Sequence, residues 1–406
     1  MPLRAKVASS VSRTAAALSR AAGRGDGSVI GGWIGLKIDP ELLAHLAAGR
    51  AIALVSGTNG KTTTTRFTAA ALGVRGPVAT NSFGANMPTG HTSALAGAGA
   101  TPYAVLEVDE HYLARVIDET TPRVVALLNL SRDQLDRAKE VAMMAQLWRT
   151  ALAAHPAVHV VANADDPMVV WAATGTAHVT WFSAGQRWHD DSWVCPECGS
   201  AIERAGDDWR CTGCALRRPQ PDWLVEDEGV LDPDGHWHPV KLQLPGRVNL
   251  GNAATALAVA SEFGVRPAEA VPRLAGVQSV AGRYAQVERD GRTVRLLLAK
   301  NPASWLEAFD MAEDAPTLLS VNARDPDGLD TSWLYDVDFS PLRGRPVLIT
   351  GDRAFDLAVR LEVNDVPFRH VSTFDEAIRA TPAGRLEVIA NYTAFQDIRA
   401  ELDRVN

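Results

Sequence analysis

The chain has 406 residues, a formal net charge of −8 and 46% hydrophobic residues. That length supports two or three domains with full cores, and the acidic balance argues against a broad basic surface for nucleic acid. No apolar run approaches the ~18 residues needed to span a bilayer, so a soluble, cytoplasmic protein is expected.

Residues 1–45 read as an N-terminal basic helical segment. Arg4, Lys6, Arg13, Arg20 and Arg24 precede the first acid, Asp26. Leu3, Val7, Val11, Leu18 and Ala22 fall near one face of a helix. A secretory signal needs a continuous apolar core, which this stretch lacks. The segment either packs on the body of the protein or on a partner, or makes peripheral electrostatic contact with an anionic membrane surface.

The apolar stretch Ala51-Ile52-Ala53-Leu54-Val55 reads as a buried strand, and Gly57-Thr58-Asn59-Gly60-Lys61-Thr62-Thr63 follows it. A glycine turn between a strand and a helix aims backbone N–H groups, a helix N-terminus and one mobile cation at a single point. A nucleoside triphosphate fits there, with Lys61 reaching the β/γ-phosphates and Thr62 on Mg²⁺. Val55 stands where the first glycine of the common G-x-x-x-x-G-K-[ST] loop would be, so this loop is a shortened one.

A helix fits 61–73. The alternation continues with strands at 103–108, 124–130 and 158–162 and helices at 111–118, 138–154 and 251–263. This is the pattern of a parallel sheet covered on both faces, whose ligands lie off the carboxyl ends of the strands. Glu107 closes one strand and is the best-placed carboxylate for Mg²⁺. Asp109 and Glu110, which follow, either join it or cap the next helix. Asn129-Leu130-Ser131-Arg132-Asp133-Gln134-Leu135-Asp136 and Asn163-Ala164-Asp165-Asp166-Pro167 end the next two strands. Asn249 and Asn252, three residues apart, share a helix face and can read an adenine edge. Each of these pieces alone could be a turn with caps.

An insertion at about 184–225 interrupts the alternation. It holds all four cysteines, Cys195, Cys198, Cys211 and Cys214, in the pattern C-x₂-C-x₁₂-C-x₂-C. Two such knuckles can place four thiolates around one Zn²⁺, and without a secretion signal a metal is favoured over two disulfides. Four protein ligands leave no open position, so the zinc is structural. Six of the eleven tryptophans surround this segment: Trp181, Trp188, Trp193, Trp209, Trp223 and Trp237. They are expected to supply its apolar cover, with sugar stacking as the alternative. A second α/β unit starts near Val287, with strands at 293–299, 316–321, 345–350 and 386–391. Gly351-Asp352-Arg353 opens its helix at 353–363.

Taken in order, the motifs at 57–63, 107–111, 129–136 and 163–167, Gly-x₂-Asn-x₂-Asn ending at Asn252, and Ala281-Gly282-Arg283-Tyr284 are similar to those of the Mur ligase superfamily. These are ATP-dependent amide-forming enzymes of cell-wall assembly, related to folylpolyglutamate synthase. The resemblance covers about 50–300. It implies a central ATP-binding domain over 46–285 with a zinc-ribbon insertion, and a C-terminal Rossmann-like α/β domain over 286–406. It also implies nucleotide contacts from Gly57 to Thr63, Asn249, Asn252 and Arg283, and Mg²⁺ on Thr62 and Glu107. Three positions depart from the peptide ligases. Gln134 replaces a metal-binding histidine, Lys139 comes too early for their carbamylated lysine, and Leu297 or Leu298 replaces a ribose-binding acid. One Mg²⁺ can therefore suffice.

The insertion, Ala299-Lys300-Asn301-Pro302-Ala303 and the run Asp327 to Phe339 resemble the MurT subgroup, the synthetase subunits of lipid II isoglutaminyl synthase. This implies amidation of the D-glutamate α-carboxyl of the lipid II stem peptide, with ammonia from a GatD-type glutaminase in a heterodimer. It also implies that Asp330 orients the partner's cysteine–histidine pair. Asp336 and Asp338 are nearby alternatives, and Asp330 can instead cap a helix starting at Thr331. If glutamine supplies the nitrogen, the residues themselves also lead to a separate glutaminase. Glutamine hydrolysis ordinarily uses a cysteine nucleophile, and zinc takes all four cysteines here. Lys61 and Glu107 would then serve phosphoryl transfer on this chain. Two other functions stay open, an autonomous Mur-type amino-acid ligase and a non-catalytic nucleotide-binding scaffold.

Overall fold

A computed structural model describes residues 1–23, 27–81, 84–132, 141–277 and 283–405. Asp133, Gln134, Asp136, Lys139 and Ala281-Gly282 lie outside the described residues. The chain divides into two units. The first comprises the described residues within 1–130, 140–243 and 248–278, and the second those within 131–139, 244–247 and 279–406.

In the first unit, short Val-, Leu- and Ala-rich stretches make one sheet. Among the described residues its strand order is Trp237–Pro239, Gly229–Leu231, Trp223–Glu226, Val179–Ser183, His159–Asn163, Val124–Leu127, Ala51–Ser56, Tyr103–Glu107 and Val78–Thr80. Neighbours from Val78–Thr80 across to Trp223–Glu226 pair in parallel, and the last two strands turn antiparallel. Val55 pairs with Glu107, so the strand that ends in the glycine turn and the strand that ends in the carboxylate finish side by side. Ile52 and Leu54 point into a core shared with helices Leu42–Ala47, Pro88–Gly97, Leu113–Thr120 and Val141–Ala154. Ala53 and Val55, also buried, point to the opposite face, as strand periodicity requires.

The N-terminal helix turns its small residues inward and its larger apolar residues outward. Helix Leu3–Ala21 buries Ala5, Ala8, Ser12 and Ala16, while Leu3, Val7, Val11 and Leu18 face outward. The cause lies in helix Ser28–Ile38. A Cβ added at Gly31 would lie 2.8 Å from the Ser12 carbonyl oxygen, and one at Gly35 would lie 3.2 Å from Ser12 Cβ. Helices this close admit only small side chains between them. No helix among the described residues is long and apolar enough to cross a membrane.

The cysteine segment contains the antiparallel hairpin Ile202–Ala205 and Asp208–Cys211. The sheet resumes immediately after it, because Trp223 pairs with Phe182. Helix Arg247–Glu262 begins four residues before the expected 251, taking both Asn249 and Asn252 inside it.

The second unit has a sheet of order Tyr284–Arg289, Arg292–Leu298, Gly384–Ala390, Thr317–Ser320, Val347–Thr350 and Phe368–His370. The first pair is antiparallel and the rest are parallel. Val287 therefore sits within the first strand, not at its start. Trp305 anchors one core, with ring centroids 5.7 Å from Phe339 and 6.1 Å from Trp333. A cavity of about 410 Å³ opens near the strands' carboxyl ends, lined in part by Asn322, Asp352 and Asp397. Arg324 bridges Asp352 (2.9 Å) and Asp397 (2.8 Å) beside it.

Candidate functional site

The loop after Ala51–Ser56 turns on two glycines with positive φ, 148° at Gly57 and 84° at Gly60. A Cβ at Gly57 would lie 2.8 Å from Leu128 Cβ, and one at Gly60 would lie 2.6 Å from Asn252 Oδ1. Both positions need glycine on conformation and on space. Asn129 holds the loop. Its carbonyl accepts from Thr58 N–H (3.0 Å), its Oδ1 accepts from Asn59 N–H (2.8 Å), and its Nδ2 donates to the Asn59 carbonyl (3.2 Å). Helix Lys61–Leu72 starts directly after Gly60, with Lys61, Thr62 and Thr63 buried in its first turn.

Lys61 Nζ donates to the carbonyls of Gly57 and Thr58 and to Glu110 Oε2 at 2.9 Å. Glu110 therefore does not serve as a helix cap but pairs with the lysine of the loop. Asp109 does act locally, accepting the His111 backbone N–H at 3.0 Å.

Glu107 is 1% exposed. Its backbone is clamped by Asn81, which donates through Nδ2 to its carbonyl and accepts its N–H through Oδ1, both at 2.8 Å. His91 Nε2 donates to the same carbonyl at 2.7 Å. Burial pushes the His91 pKa down to about 4, and the carbonyl bond opposes this only in part, so the imidazole is neutral. Asn86 Nδ2 lies 3.4 Å from Glu107 Oε1. A buried carboxylate at a strand end is the type of oxygen donor that suits a hard cation.

Asn252 closes the loop from the other side. Its Oδ1 accepts from Thr64 Oγ1 at 3.0 Å, and its Nδ2 donates to Asn249 Oδ1 at 3.1 Å. The structure thus gathers Gly57 to Thr63, Glu107, Asn249 and Asn252 at one end of the first sheet. Arg283 and Asp330 belong to the second unit.

The four cysteines converge. Their sulfurs lie within 4.8 Å of one another, with Cys195–Cys214 at 3.7 Å and Cys198–Cys211 at 3.4 Å. Tetrahedral zinc with Zn–S of ~2.3 Å sets sulfurs ~3.8 Å apart, so the cluster fits the ion. Gly213 N–H points at Cys211 Sγ, 3.3 Å away, the donor that a knuckle offers to a thiolate. Trp209 is buried and ties the ribbon to the sheet, donating from Nε1 to the Ala164 carbonyl at 3.0 Å. Arg218 reaches Asp165 Oδ1 at 2.9 Å. Asp166, fully buried, caps helix Pro167–Ala173 and accepts Leu130 N–H at 2.8 Å. The Asn163-to-Pro167 turn is thus a structural joint. Trp181 packs on the ribbon with Leu216, whereas Trp193 and Trp237 are about half exposed and give it no such cover.

In the second unit, Asp330 is exposed and its Oδ1 accepts the Ser332 N–H at 2.8 Å, ahead of a short 3-10 helix, Ser332–Asp336. That bond holds its carboxyl below the usual range, so it is ionised at neutral pH. Asp336 instead pairs with Arg132 at 3.3 Å, and Asp338 binds the Ser340 N–H and hydroxyl. The Arg283 carbonyl accepts Leu298 N–H at 3.1 Å. Its guanidinium charge acts on Glu307, whose carboxyl burial and Asp310 push up to about 7. Asn301 caps helix Pro302–Met311 through Ser304 N–H at 3.0 Å.

Residues 55–260, half of the chain, match the Mur ligase middle domain. The chain belongs to the Mur ligase family. Residues 298–395 match the MurT ligase C-terminal domain. Over 92% of both chains it is 28% identical to the MurT subunit of the glutamine-hydrolysing lipid II isoglutaminyl synthase of Streptococcus pneumoniae. It is also 28% identical to the MurT subunit of Staphylococcus aureus strain COL, over 95% of both. The fold is similar to that of a pseudomurein peptide ligase type C from Methanothermus fervidus. That likeness has a TM-score of 0.70 at 17% identity, covering 90% of this chain and 81% of that one. Mur ligases use ATP and Mg²⁺.

Proposed function

We propose that this Mur ligase amidates the α-carboxyl of D-glutamate in the lipid II stem peptide, giving D-isoglutamine, with ammonia from a GatD-type glutaminase partner. A carboxylate does not acylate ammonia directly. Its oxygen attacks the γ-phosphorus of ATP, ADP departs, and an acyl phosphate results. Ammonia then adds to the carbonyl, phosphate leaves, and the nitrogen gives up a proton to become the amide. Lys61 and the loop N–H groups would stabilise the charge on the transferring phosphoryl group. Thr62 and Glu107 would hold Mg²⁺, which neutralises phosphate charge. Asn249, Asn252 and Arg283 would contribute to nucleotide binding. The ribbon would hold zinc in a purely structural role.

The observation that carries this reading is the gathering of every cysteine at one metal-type cluster. No thiol remains for a glutaminase nucleophile, so glutamine nitrogen requires a second polypeptide. The second unit supports a docking place for it. Leu329, Tyr335, Phe355, Val359 and Val363 are all exposed around Asp330 in sequence or along helix Ala354–Val363. Asp330, ionised and exposed, would accept the Nδ1–H of the partner's histidine. The MurT relatives carry the word subunit in their names. Such a substrate would hold the enzyme at the inner membrane face.

The test is amidation of lipid II by the chain with a GatD-type glutaminase, ATP and either glutamine or ammonium. Asp330→Asn is expected to abolish glutamine use and to spare ammonium use. Unaided glutamine hydrolysis by this chain, or amino-acid ligation without a partner, overturns the proposal.

A further inference from the structure

The outward side of the N-terminal helices has no part in the reaction above. Leu3, Val7, Val11 and Leu18 are 79%, 50%, 37% and 64% exposed along helix Leu3–Ala21. Helix Ser28–Ile38, packed on it through glycines, buries Gly31, Gly32 and Gly35 and turns Val29, Ile30 and Trp33 outward. Single exposed apolar side chains are ordinary, but apolar rows on two adjoining helices are not.

Charge indicates what covers them. Lys6, Arg13 and Arg20 recur every seven residues along a neighbouring line of the first helix, which contains no acid. The whole chain carries −8, so this is a cationic surface on an acidic protein. Lys37 lies over the Trp33 ring, 5.6 Å from its centroid. An apolar row flanked by cations, with a tryptophan at its edge, is the composition of a helix lying in the plane of a bilayer interface.

We infer that the outward face of these two helices docks on an anionic lipid bilayer, with Val7, Val11 and Leu18 at the acyl boundary and Lys6, Arg13 and Lys37 among the headgroups. The contact is peripheral, because neither helix can span the membrane. Its weakness makes it reversible and salt-sensitive. It depends on no particular substrate, so it stands apart from the proposed amidation.

The test is sedimentation of the full chain with vesicles of phosphatidylglycerol and phosphatidylcholine, and with phosphatidylcholine alone. Co-sedimentation is expected with the anionic vesicles, is lost in high salt, and is weak with the neutral ones. Val7→Ser/Val11→Ser/Leu18→Ser changes only outward positions and is expected to lower partitioning about tenfold or more. Lys6→Gln/Arg13→Gln is expected to lower it about fivefold per charge on anionic vesicles. If circular dichroism shows that the apolar variant has lost its fold, the charge variant decides alone. No binding to anionic vesicles overturns the inference, as does wild-type partitioning by a folded apolar variant. A dimer that the apolar variant dissociates assigns the face to a second copy and also overturns it.

Discussion

Lys61 Nζ lies 2.9 Å from Glu110 Oε2, and the two side chains are 5% and 11% exposed. The cation proposed to meet the phosphates is thus paired with a carboxylate. A triphosphate has to draw Lys61 away from Glu110, and the Glu110 charge opposes its approach. Glu110→Gln keeps the shape and removes both effects, so nucleotide binding is expected to tighten several-fold. Lys61→Ala is expected to lower kcat/KM by at least ~10²-fold, as loss of one transition-state donor does. Calorimetric titration with ADP and steady-state kinetics check the two. Weaker binding by Glu110→Gln would show that the carboxylate supports the site and does not compete in it.

His91 and Asp166 make stability depend on pH in opposite senses. Burial lowers the His91 pKa from an ordinary 6.5 to about 4. The unfolded chain therefore takes up this proton first, and stability falls as pH drops from 6.5 towards 4. Burial raises Asp166 from 3.8 to about 6. Its native carboxyl takes up the proton first, so stability rises as pH drops from 6 towards 3.8. Each effect is on the order of 3 kcal/mol across its window, and the two largely cancel. Asp166→Asn should leave a steeper acid loss than wild type, and His91→Asn a shallower one. Urea midpoints measured from pH 7 to pH 4 decide, and parallel profiles for all three proteins would refute the assignment.

The phosphate loop was legible because its geometry is local. Gly57, Gly60, Lys61 and Thr62 are contiguous, and the strand before them and the helix after them are strongly patterned. Glu107 was legible from its place at a strand end. His91 and Asn81 were not, since they reach Glu107 from 16 and 26 residues away and no local pattern marks them. The partner of Glu110 was not legible, because pairing with Lys61 depends on how the segment after the strand folds back. The N-terminal helix shows a different limit. Periodicity groups Leu3, Val7, Val11 and Leu18 on one face, but Gly31 and Gly35 of the neighbouring helix decide which face goes inward. Composition likewise grouped the tryptophans, yet only sheet pairing and the Ala164 contact separate buried Trp209 and Trp223 from exposed Trp193 and Trp237.

The ribbon should carry one zinc per chain. Its apolar cover is small, with Ile202, Trp209 and Val170 around Cys195 and Cys211, so the metal would contribute much of its stability. Cys198→Ser is expected to lose the zinc and to lower Tm, and a chelator should do the same to the wild-type chain. Nucleotide affinity should change far less, because the ribbon meets the sheet at Ala164 and Asp165 and not at the phosphate loop. Metal analysis by atomic emission, with thermal unfolding, checks this. A chain that is metal-free as purified and unaffected by chelator would remove zinc from the account.

Gly60 and Asn252 couple two parts of the site that are far apart in sequence. Alanine at 60 meets two obstacles, a φ of 84° and a Cβ placed 2.6 Å from Asn252 Oδ1. The first costs about 1–2 kcal/mol for a residue with a side chain. The second is not relieved by a simple swing of the amide, because Asn252 is held by Thr64 Oγ1 and by Asn249. Gly60→Ala is therefore expected to destabilise by about 2–3 kcal/mol and to weaken nucleotide binding. Asn252→Ala removes the steric part but not the conformational part. The double variant should be more stable than the sum of the single losses predicts, with a coupling of about 1 kcal/mol. Additive losses would mean that the close approach carries no energy, leaving backbone conformation as the whole reason for glycine at 60.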